Sequence, residues 1–369
     1  MKGAAPFLSA IGVISGTSMD GIDVALITSD GEAHVEPGPG GTFAYPGEVK
    51  RALQDIIANP GAARGPLDAL QRAVTDSHVE AVFAFMKKFA IARDSVTLVG
   101  LHGQTILHRP RERFTRQLCD GARASRLLGL DVVNDFRAAD VAAGGEGAPF
   151  VPLYHAAICA KLERPLMALN WGGVGNVTYL GANGEIVAFD TGPANALIDD
   201  FVSRRRGLSH DEGGALAAAG RVDEAALAGL MSDPYFDAPP PKSLDRNHFH
   251  ALAREVEKLG DEDGVATLAA FTIEATAAAL RHFNDKPQRW LVCGGGRRNL
   301  TMMAALGGKL GVEVAPIEAI GYDGDVIEAQ CFAYLALRSR RGLPLSLPTT
   351  TGAPRPMPGG VFWPAPKAA

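Results

Sequence analysis

The stretch from Gly12 to Thr28 reads G-V-I-S-G-T-S-M-D-G-I-D-V-A-L-I-T and sets a polar turn between two apolar runs. Gly16 and Gly21 free the backbone to curl and bring its N–H groups to one point. Thr17 and Ser18 add hydroxyl donors. Asp20 and Asp23 would repel a bare phosphate but suit a phosphate that carries Mg²⁺. Binding a nucleotide phosphate is one chemistry this set can do; a plain hairpin turn draws on the same residue types. Two further glycine loops each follow an apolar strand. They are Gly172-Gly173-Val174-Gly175-Asn176 after 165–171, and Gly294-Gly295-Gly296 to Asn299 after 289–293. One such loop says little, but three on a repeated pattern favour the nucleotide.

The elements that must position these loops follow from the apolar runs. Strand, glycine loop, strand, strand occurs at 7–45 and again at 166–190. That order predicts a duplicated α/β unit with a nucleotide in the cleft between the copies. Gly31 to Gly41 reads as turn-rich, with the third strand at Thr42 to Tyr45. A strand at Val96 to Leu101 puts His102-Gly103-Gln104-Thr105 at its C-terminal end, where ligands of open α/β sheets bind. The strand Asp131 to Asn134 runs into Asp135-Phe136-Arg137, Asp140 and the flexible Gly144 to Gly147. In the second copy, Asn183-Gly184 is a strong hairpin signal. Ile186 to Phe189 then ends at Asp190, which could simply cap the helix after Pro193. Residues 207–260 read as mostly helical, and Gly264 to Phe283 as a long Ala-rich helix. The last helix, Asp325 to Arg341, carries Glu328. The Pro-, Thr- and Gly-rich tail after Gly342 predicts extended or poorly ordered backbone.

At 369 residues the length allows about two domains. With 47% hydrophobic and 21% charged residues, the chain can fill two cores. A net charge of −5 offers no basic surface for nucleic acid. The four cysteines, Cys119, Cys159, Cys293 and Cys331, form no C-x-x-C pair, so neither a zinc site nor a disulfide framework is expected. No secretory signal, and no run of about 18 apolar residues that would span a membrane, is read. The expected setting is the cytoplasm.

Taken together, G-T-S-M-D-G-I-D (16–23), H-G-Q-T (102–105), D-F-R-A-A-D-V-A-A-G-G-E-G-A-P (135–149), N-W-G-G-V-G-N-V-T (170–178), F-D-T-G-P-A-N (189–195), P-P-K-S (240–243) and C-G-G-G-R-R-N (293–299) closely resemble the anhydro-N-acetylmuramic acid kinases. These belong to the sugar kinase, actin and chaperone ATPase superfamily. The resemblance implies two duplicated actin-like, ribonuclease H-like domains with a nucleotide cleft between them. One would be 1–137 plus about 326–369, and the other 138–325. It implies a reaction in which ATP and water open 1,6-anhydro-N-acetylmuramic acid and phosphorylate O6, with Mg²⁺ as cofactor and a homodimer as the assembly. ATP would contact Gly16, Thr17, Ser18, Met19, Asp20, Gly21, Ile22, Asp23, Gly172, Gly173, Asn176, Gly294, Gly295, Gly296 and Asn299, with Asp20 near the metal. Asp190 matches the catalytic base. His102, Gln104, Thr105, Arg137, Asp140 and Glu328 fall in segments like the sugar site. The chain departs from the family pattern at Ala194, at Cys119 and at Leu244-Asp245-Arg246-Asn247. The same chemistry on a plainer anhydro sugar such as levoglucosan is an alternative. An actin-like ATPase that works on a protein partner is another, and a catalytically dead sugar sensor a third.

Overall fold

The computed structural model describes residues 6–16, 19, 21–244, 248–250 and 252–367. Thr17, Ser18 and Asp20, all predicted at the ATP loop, lie outside the described residues, as do Asp245, Arg246 and Asn247. Twelve strands are described: β1 (Leu8–Ser15), β2 (Ile22–Ser29), β3 (Val35–Phe43), β4 (Leu98–Arg109), β5 (Phe114–Leu118), β6 (Asp131–Asn134), β7 (Leu166–Trp171), β8 (Val174–Leu180), β9 (Ile186–Pro193), β10 (Arg289–Cys293), β11 (Glu313–Pro316) and β12 (Val361–Trp363).

Two compact units result, one of residues 1–161 and 326–369 and one of 162–325. The first cut falls after Lys161, not at Arg137. Residues 138–161 stay with the first unit because Glu146 N–H donates to Thr351 and Tyr154 OH donates to Gln330. The first sheet has the order β12-β6-β4-β1-β2-β3, with β5 beside β4; the second has β11-β10-β7-β8-β9. In the first, β1, β2 and β3 form an antiparallel meander, and β4 and β6 add in parallel. In the second, β7, β8 and β9 form the meander, and β10 and β11 add in parallel. The five-strand order is the same twice, as the repeated strand–loop pattern predicts.

Strand alternation explains how the first sheet is covered on both faces. Ile11, Val13 and Val99 pack with Val74, Val82 and Phe85 of the helix Asp68–Lys88. Gly12 and Gly100 point the other way, against the helix Ile327–Arg340. In the second unit Met167, Leu169, Trp171 and Trp290 share one core with Phe201 and Phe271. The helix Asp261–Ala278 and its continuation to His282 are long and apolar enough to cross a membrane by composition, but 67% of that stretch is buried in the protein. Its apolar faces are the core of the second unit.

Three local expectations are corrected. β3 spans Val35–Phe43 rather than beginning at Thr42, because its glycines let it run close against Leu26 and Val326. Residues 207–260 form only short helices and 3-10 turns. The tail after Gly342 is held in place. Val361–Trp363 pairs with β6, Trp363 Nε1–H donates to Asn134 at 2.9 Å, and Ala365 N–H donates to Asp131 at 2.8 Å.

A Cβ on Gly12 would lie 1.8 Å from the Ala329 carbonyl oxygen, and one on Gly100 2.1 Å from that of Phe332. Gly12→Ala must therefore push the helix off the sheet. The expected cost is about 1–3 kcal/mol or more, read as a lower urea midpoint in equilibrium unfolding.

Candidate active site

The first glycine loop leaves β1 at Ser15 and is supported from beneath by a buried polar network. Ser15 Oγ donates to Gln104 Oε1 at 2.7 Å and lies 2.7 Å from Tyr45 OH. His78 Nδ1–H donates to the Val74 carbonyl at 2.7 Å, which leaves Nε2 as an acceptor 3.3 Å from both hydroxyls. Burial pushes the His78 pKa down to about 4. Gln104 is fully buried, and its Nε2 donates to the Gly16 carbonyl at 3.2 Å. Gln104 thus fixes where the loop begins. Met19 N–H closes the turn onto Gly16 at 3.1 Å. Met19 adopts φ +56°, a strained value for a non-glycine residue, while its side chain is buried in the core of the first unit. Ile22 belongs to the same core. Asp23 Oδ1 accepts from Thr42 Oγ1 at 2.6 Å.

The H-G-Q-T run does not end a strand. β4 pairs in parallel with β6 up to Leu101, turns at Gly103 (φ +77°), and continues to Arg109 against antiparallel β5. The C-terminal end of the parallel strand is where expected, but the chain goes on with a new neighbour. There His102 meets Arg137. His102 Nδ1–H donates to the Gly103 carbonyl at 2.8 Å, so its Nε2 is the acceptor for Arg137 Nε–H at 2.9 Å. Burial, then the Arg137 charge, hold His102 well below the ordinary histidine range. Arg137 Nη1 also donates to the Gly147 carbonyl at 2.6 Å, and the guanidinium lies 5.4 Å from the Phe150 ring and 5.8 Å from that of Phe332. Burial lowers the Arg137 pKa, and Glu328 leads the groups that oppose this.

Glu328 occupies the first turn of the helix Ile327–Arg340 and is exposed. Surrounding protein nevertheless displaces enough water to raise its carboxyl above the usual range; Arg137 opposes the shift and Asp23 adds to it. Solvent access with partial desolvation is what a concave surface provides. Arg137, Glu328 and Asp23 therefore form one electrostatic group. Asp140 also favours the Arg137 charge, after Glu328 and Cys331. It is buried, and Oδ1 accepts from Gly147 N–H at 2.8 Å. Oδ2 accepts from Ser346 and, at 2.7 Å, from Thr351. Asp140 is a staple between its glycine loop and the tail. Thr105 Oγ1 accepts from Gln117 Nε2 at 3.3 Å, across to β5.

Asp190 sits on β9 opposite Asn176, at an irregularity in the β8–β9 register. It does not cap the next helix. That helix begins at Asn195 with Ala194 at its cap position and no side-chain capping bond. Instead Asp190 Oδ2 accepts from Leu244 N–H at 2.8 Å, its N–H donates to the Lys242 carbonyl at 3.0 Å, and its carbonyl accepts from Tyr235 OH at 2.6 Å. In the second glycine loop the Gly172 carbonyl accepts from Asn195 N–H at 3.0 Å, and the Gly173 carbonyl from Ala194 N–H at 3.0 Å. Asn176 Oδ1 is buried without a hydrogen-bond partner. A buried polar atom beside a glycine loop fits a polar ligand. In the third loop, Gly294 has φ +75°, and a Cβ there would lie 2.3 Å from Asn170 Oδ1; Gly296 abuts Trp171. Gly295 has open space about it, with Asn195 Nδ2 at 3.8 Å. Asn299 caps the helix Leu300–Leu310, accepting from Met302 N–H at 2.9 Å. Ser15, Tyr45, His78 and Tyr235 were not singled out from the sequence. Only Ser15 carried a signal, its place just before Gly16.

The repeated strand order, with a glycine loop after the first strand of each unit, defines the sugar kinase and actin-like ATPase class. The profile of the anhydro-N-acetylmuramic acid kinase family matches residues 8–365. The anhydro-N-acetylmuramic acid kinase of Rhodospirillum rubrum is 51% identical over 358 residues, 96% of this chain and 94% of that protein. The one of Acidiphilium cryptum is 49% identical over 366 residues, 98% of this chain and 100% of that protein. The chain belongs to the anhydro-N-acetylmuramic acid kinase family. Among solved structures, the activator of the 2-hydroxyisocaproyl-CoA dehydratase from Clostridium difficile covers 90% of this chain and 96% of its own, at 11% identity and a TM-score of 0.46. That likeness is too loose to build on.

Two outcomes follow. Asp140→Ala leaves two hydroxyls and an N–H without their acceptor. It is expected to cost about 2–3 kcal/mol of unfolding free energy and, by loosening the 144–147 loop that anchors Arg137, to raise the sugar KM of the folded enzyme. Urea titration and initial-rate kinetics check the two halves. His78 and His155 are buried and His108 is half-buried, and desolvation pushes their pKa values down to about 4, 3 and 4. The unfolded chain binds these protons near pH 6.5 and the folded one does not. Stability from this source is full above 6.5 and is lost as the pH falls toward 4. His78→Gln should flatten the fall in urea midpoint over that window.

Proposed function

We propose that this kinase uses ATP and water to convert 1,6-anhydro-N-acetylmuramic acid into N-acetylmuramic acid 6-phosphate and ADP, a step in recycling cell-wall peptidoglycan, with Asp190 as the base. The names of its close relatives support the muramic sugar; nothing among them favours levoglucosan. The observation that carries the role of Asp190 is its setting. Its carboxylate is held by a backbone N–H at a strand irregularity and is not spent on capping the next helix.

The chemistry of the substrate dictates what the base does. An ordinary sugar kinase draws the proton from the attacking hydroxyl. In a 1,6-anhydro sugar, O6 is tied to C1 and carries no proton. Asp190 instead takes a proton from water as its oxygen attacks C1. The C1–O6 bond breaks, and the freed O6 takes the γ-phosphoryl group of ATP, releasing ADP. Arg137, anchored on His102 and Gly147, offers a fixed cation, and Glu328 an acceptor, to the sugar's polar groups. In this reading His102 and Gln104 act through Arg137 and the first glycine loop, and Asp140 through the 144–147 loop. The backbone of Gly16 to Asp23, Gly172 to Asn176 and Gly294 to Gly296 would line the nucleotide. Mg²⁺ would neutralise triphosphate charge; a metal that keeps most of its waters needs only one or two carboxylates, for which Asp20 and Asp23 have the chemistry. A homodimer, on family resemblance, and the cytoplasm as default setting belong to the same reading.

Turnover in ¹⁸O-water tests the reaction. The product should gain one phosphoryl group and one heavy oxygen, at C1. Asp190→Asn is expected to lose at least about a thousandfold in kcat while still binding ATP. Near-normal turnover in that variant would remove Asp190 from the mechanism.

A further inference from the structure

One short segment, residues 235–244, grips Asp190 at three points: through the Tyr235 hydroxyl, the Lys242 carbonyl and the Leu244 N–H, at 2.6, 3.0 and 2.8 Å. The segment is itself drawn shut by Lys242. Its ammonium donates to the carbonyls of Tyr235 at 2.9 Å and Phe236 at 3.4 Å. It also lies 4.6 Å from the Tyr235 ring and 5.6 Å from the ring of Phe189, the residue before Asp190. Phe236 is buried and stacks on Phe249, which moors the segment in the core.

We propose that Tyr235 and Lys242 are positioning residues for Asp190, with the Lys242 ammonium as the clasp that keeps 235–244 closed around it. This rests on Asp190 being the base. A general base needs its carboxylate aimed at one water. Leu244 N–H on Oδ2 opposes rotation of the carboxylate, and Tyr235 with the Lys242 carbonyl fixes the backbone that carries it. Lys242 spends its own donors on neutral carbonyls and ring faces.

The charge on Lys242 fixes how the segment responds to pH. Burial pushes its pKa down to about 8; Arg281 pushes the same way and Asp237 opposes. Arg281 pairs with Asp237 at 2.5 Å. Burial, Lys242 and Arg281 hold His282 below its ordinary value, while burial and then Asp190 push Tyr235 up. Near pH 8, Lys242 is therefore the member of this group that changes charge. Between about pH 8 and the unfolded value near 10.5, the unfolded chain holds a proton that the folded chain lacks, so this group's contribution to stability rises with pH. By the same linkage, loss of the Lys242 proton favours the closed segment, and the neutral amine still donates to the Tyr235 and Phe236 carbonyls, so the aim of Asp190 is kept.

The test compares Tyr235→Phe, Lys242→Met, Lys242→Arg and Asp190→Asn in the full chain. It measures kcat, the KM for ATP and for the sugar across pH 6.5–10, and hydrogen exchange of the peptides carrying Asp190 and Leu244. Tyr235→Phe and Lys242→Met should lower kcat about 10- to 100-fold with the ATP KM unchanged, and speed exchange in both peptides. Loss of the Lys242 proton above about pH 8 should leave wild-type kcat in place, and Lys242→Arg, which keeps the donors, should keep activity. Wild-type kcat and unchanged exchange in Tyr235→Phe would overturn the clasp. A fully active Asp190→Asn enzyme would instead overturn the base assignment, and the clasp's catalytic meaning with it. Exchange reports the grip on Asp190 whatever that residue does, so the two failures are distinguishable.

Discussion

The close approach of the helix Ile327–Arg340 to β1 and β4 governs the first unit. At Gly12 and Gly100 the helix backbone comes so near the sheet that no side chain fits between. The contact places Phe332 against the His102 ring, at 4.5 Å, and beneath Arg137. It also carries Glu328 to the group formed by Arg137 and Asp23. Further along, Tyr334 OH donates to the Glu32 carbonyl at 2.6 Å and Arg338 to that of Gly31 at 3.0 Å, so the far end is fixed too. A helix some 300 residues distant in sequence thereby completes a unit that begins at β1, and its register is set by two glycines.

Two cations, Arg137 in the first unit and Lys242 in the second, follow one electrostatic rule. Arg137 is held by an imidazole nitrogen and a carbonyl, both neutral, and Lys242 by two carbonyls and two aromatic faces. Partners of this kind orient a charge without cancelling it. A salt bridge at the same distance would leave a nearly neutral pair with little to offer an anionic ligand. The depressed pKa values of both groups are the cost of keeping charge in partly desolvated surroundings. Surface ion pairs elsewhere, such as Arg289–Glu313, are of the ordinary self-cancelling kind.

The repeated strand order was legible because each glycine loop follows a β-branched run and each hairpin carries its own turn residues. What the sequence hid is long-range pairing. His102, Gln104, Asp140 and Arg137 read alike as polar residues in suggestive segments. Only their partners separate Arg137, which keeps its charge available, from Asp140, whose carboxylate is taken up by Gly147, Ser346 and Thr351. The tail read as loose because its composition lacks periodicity. It is ordered by β6, Asn134 and Asp131, which lie more than 200 residues earlier. β4 read as ending at Leu101 because its hydrophobic run stops there; Gly103 instead turns the strand toward β5.

The two copies of the fold put their glycine loops to use differently. In the first unit the loop rests on Ser15, Tyr45, His78 and Gln104, a network dry enough to keep His78 neutral. Gln104 ties down the Gly16 carbonyl, so the start of the loop is fixed by a side chain. In the second unit the carbonyls of Gly172 and Gly173 are taken by the first N–H groups of the following helix. A helix N-terminus is a ready anion site only while those donors are unspent. Here they are spent on the protein itself. A phosphate at this loop would depend on the loop's own N–H groups; the buried Asn176 oxygen, which has no partner within the protein, calls for a donor rather than an anion. Recognition in the second unit therefore turns on side-chain and loop geometry more than on a helix dipole, and Asp190, paired across the strands with Asn176, lies within that same geometry.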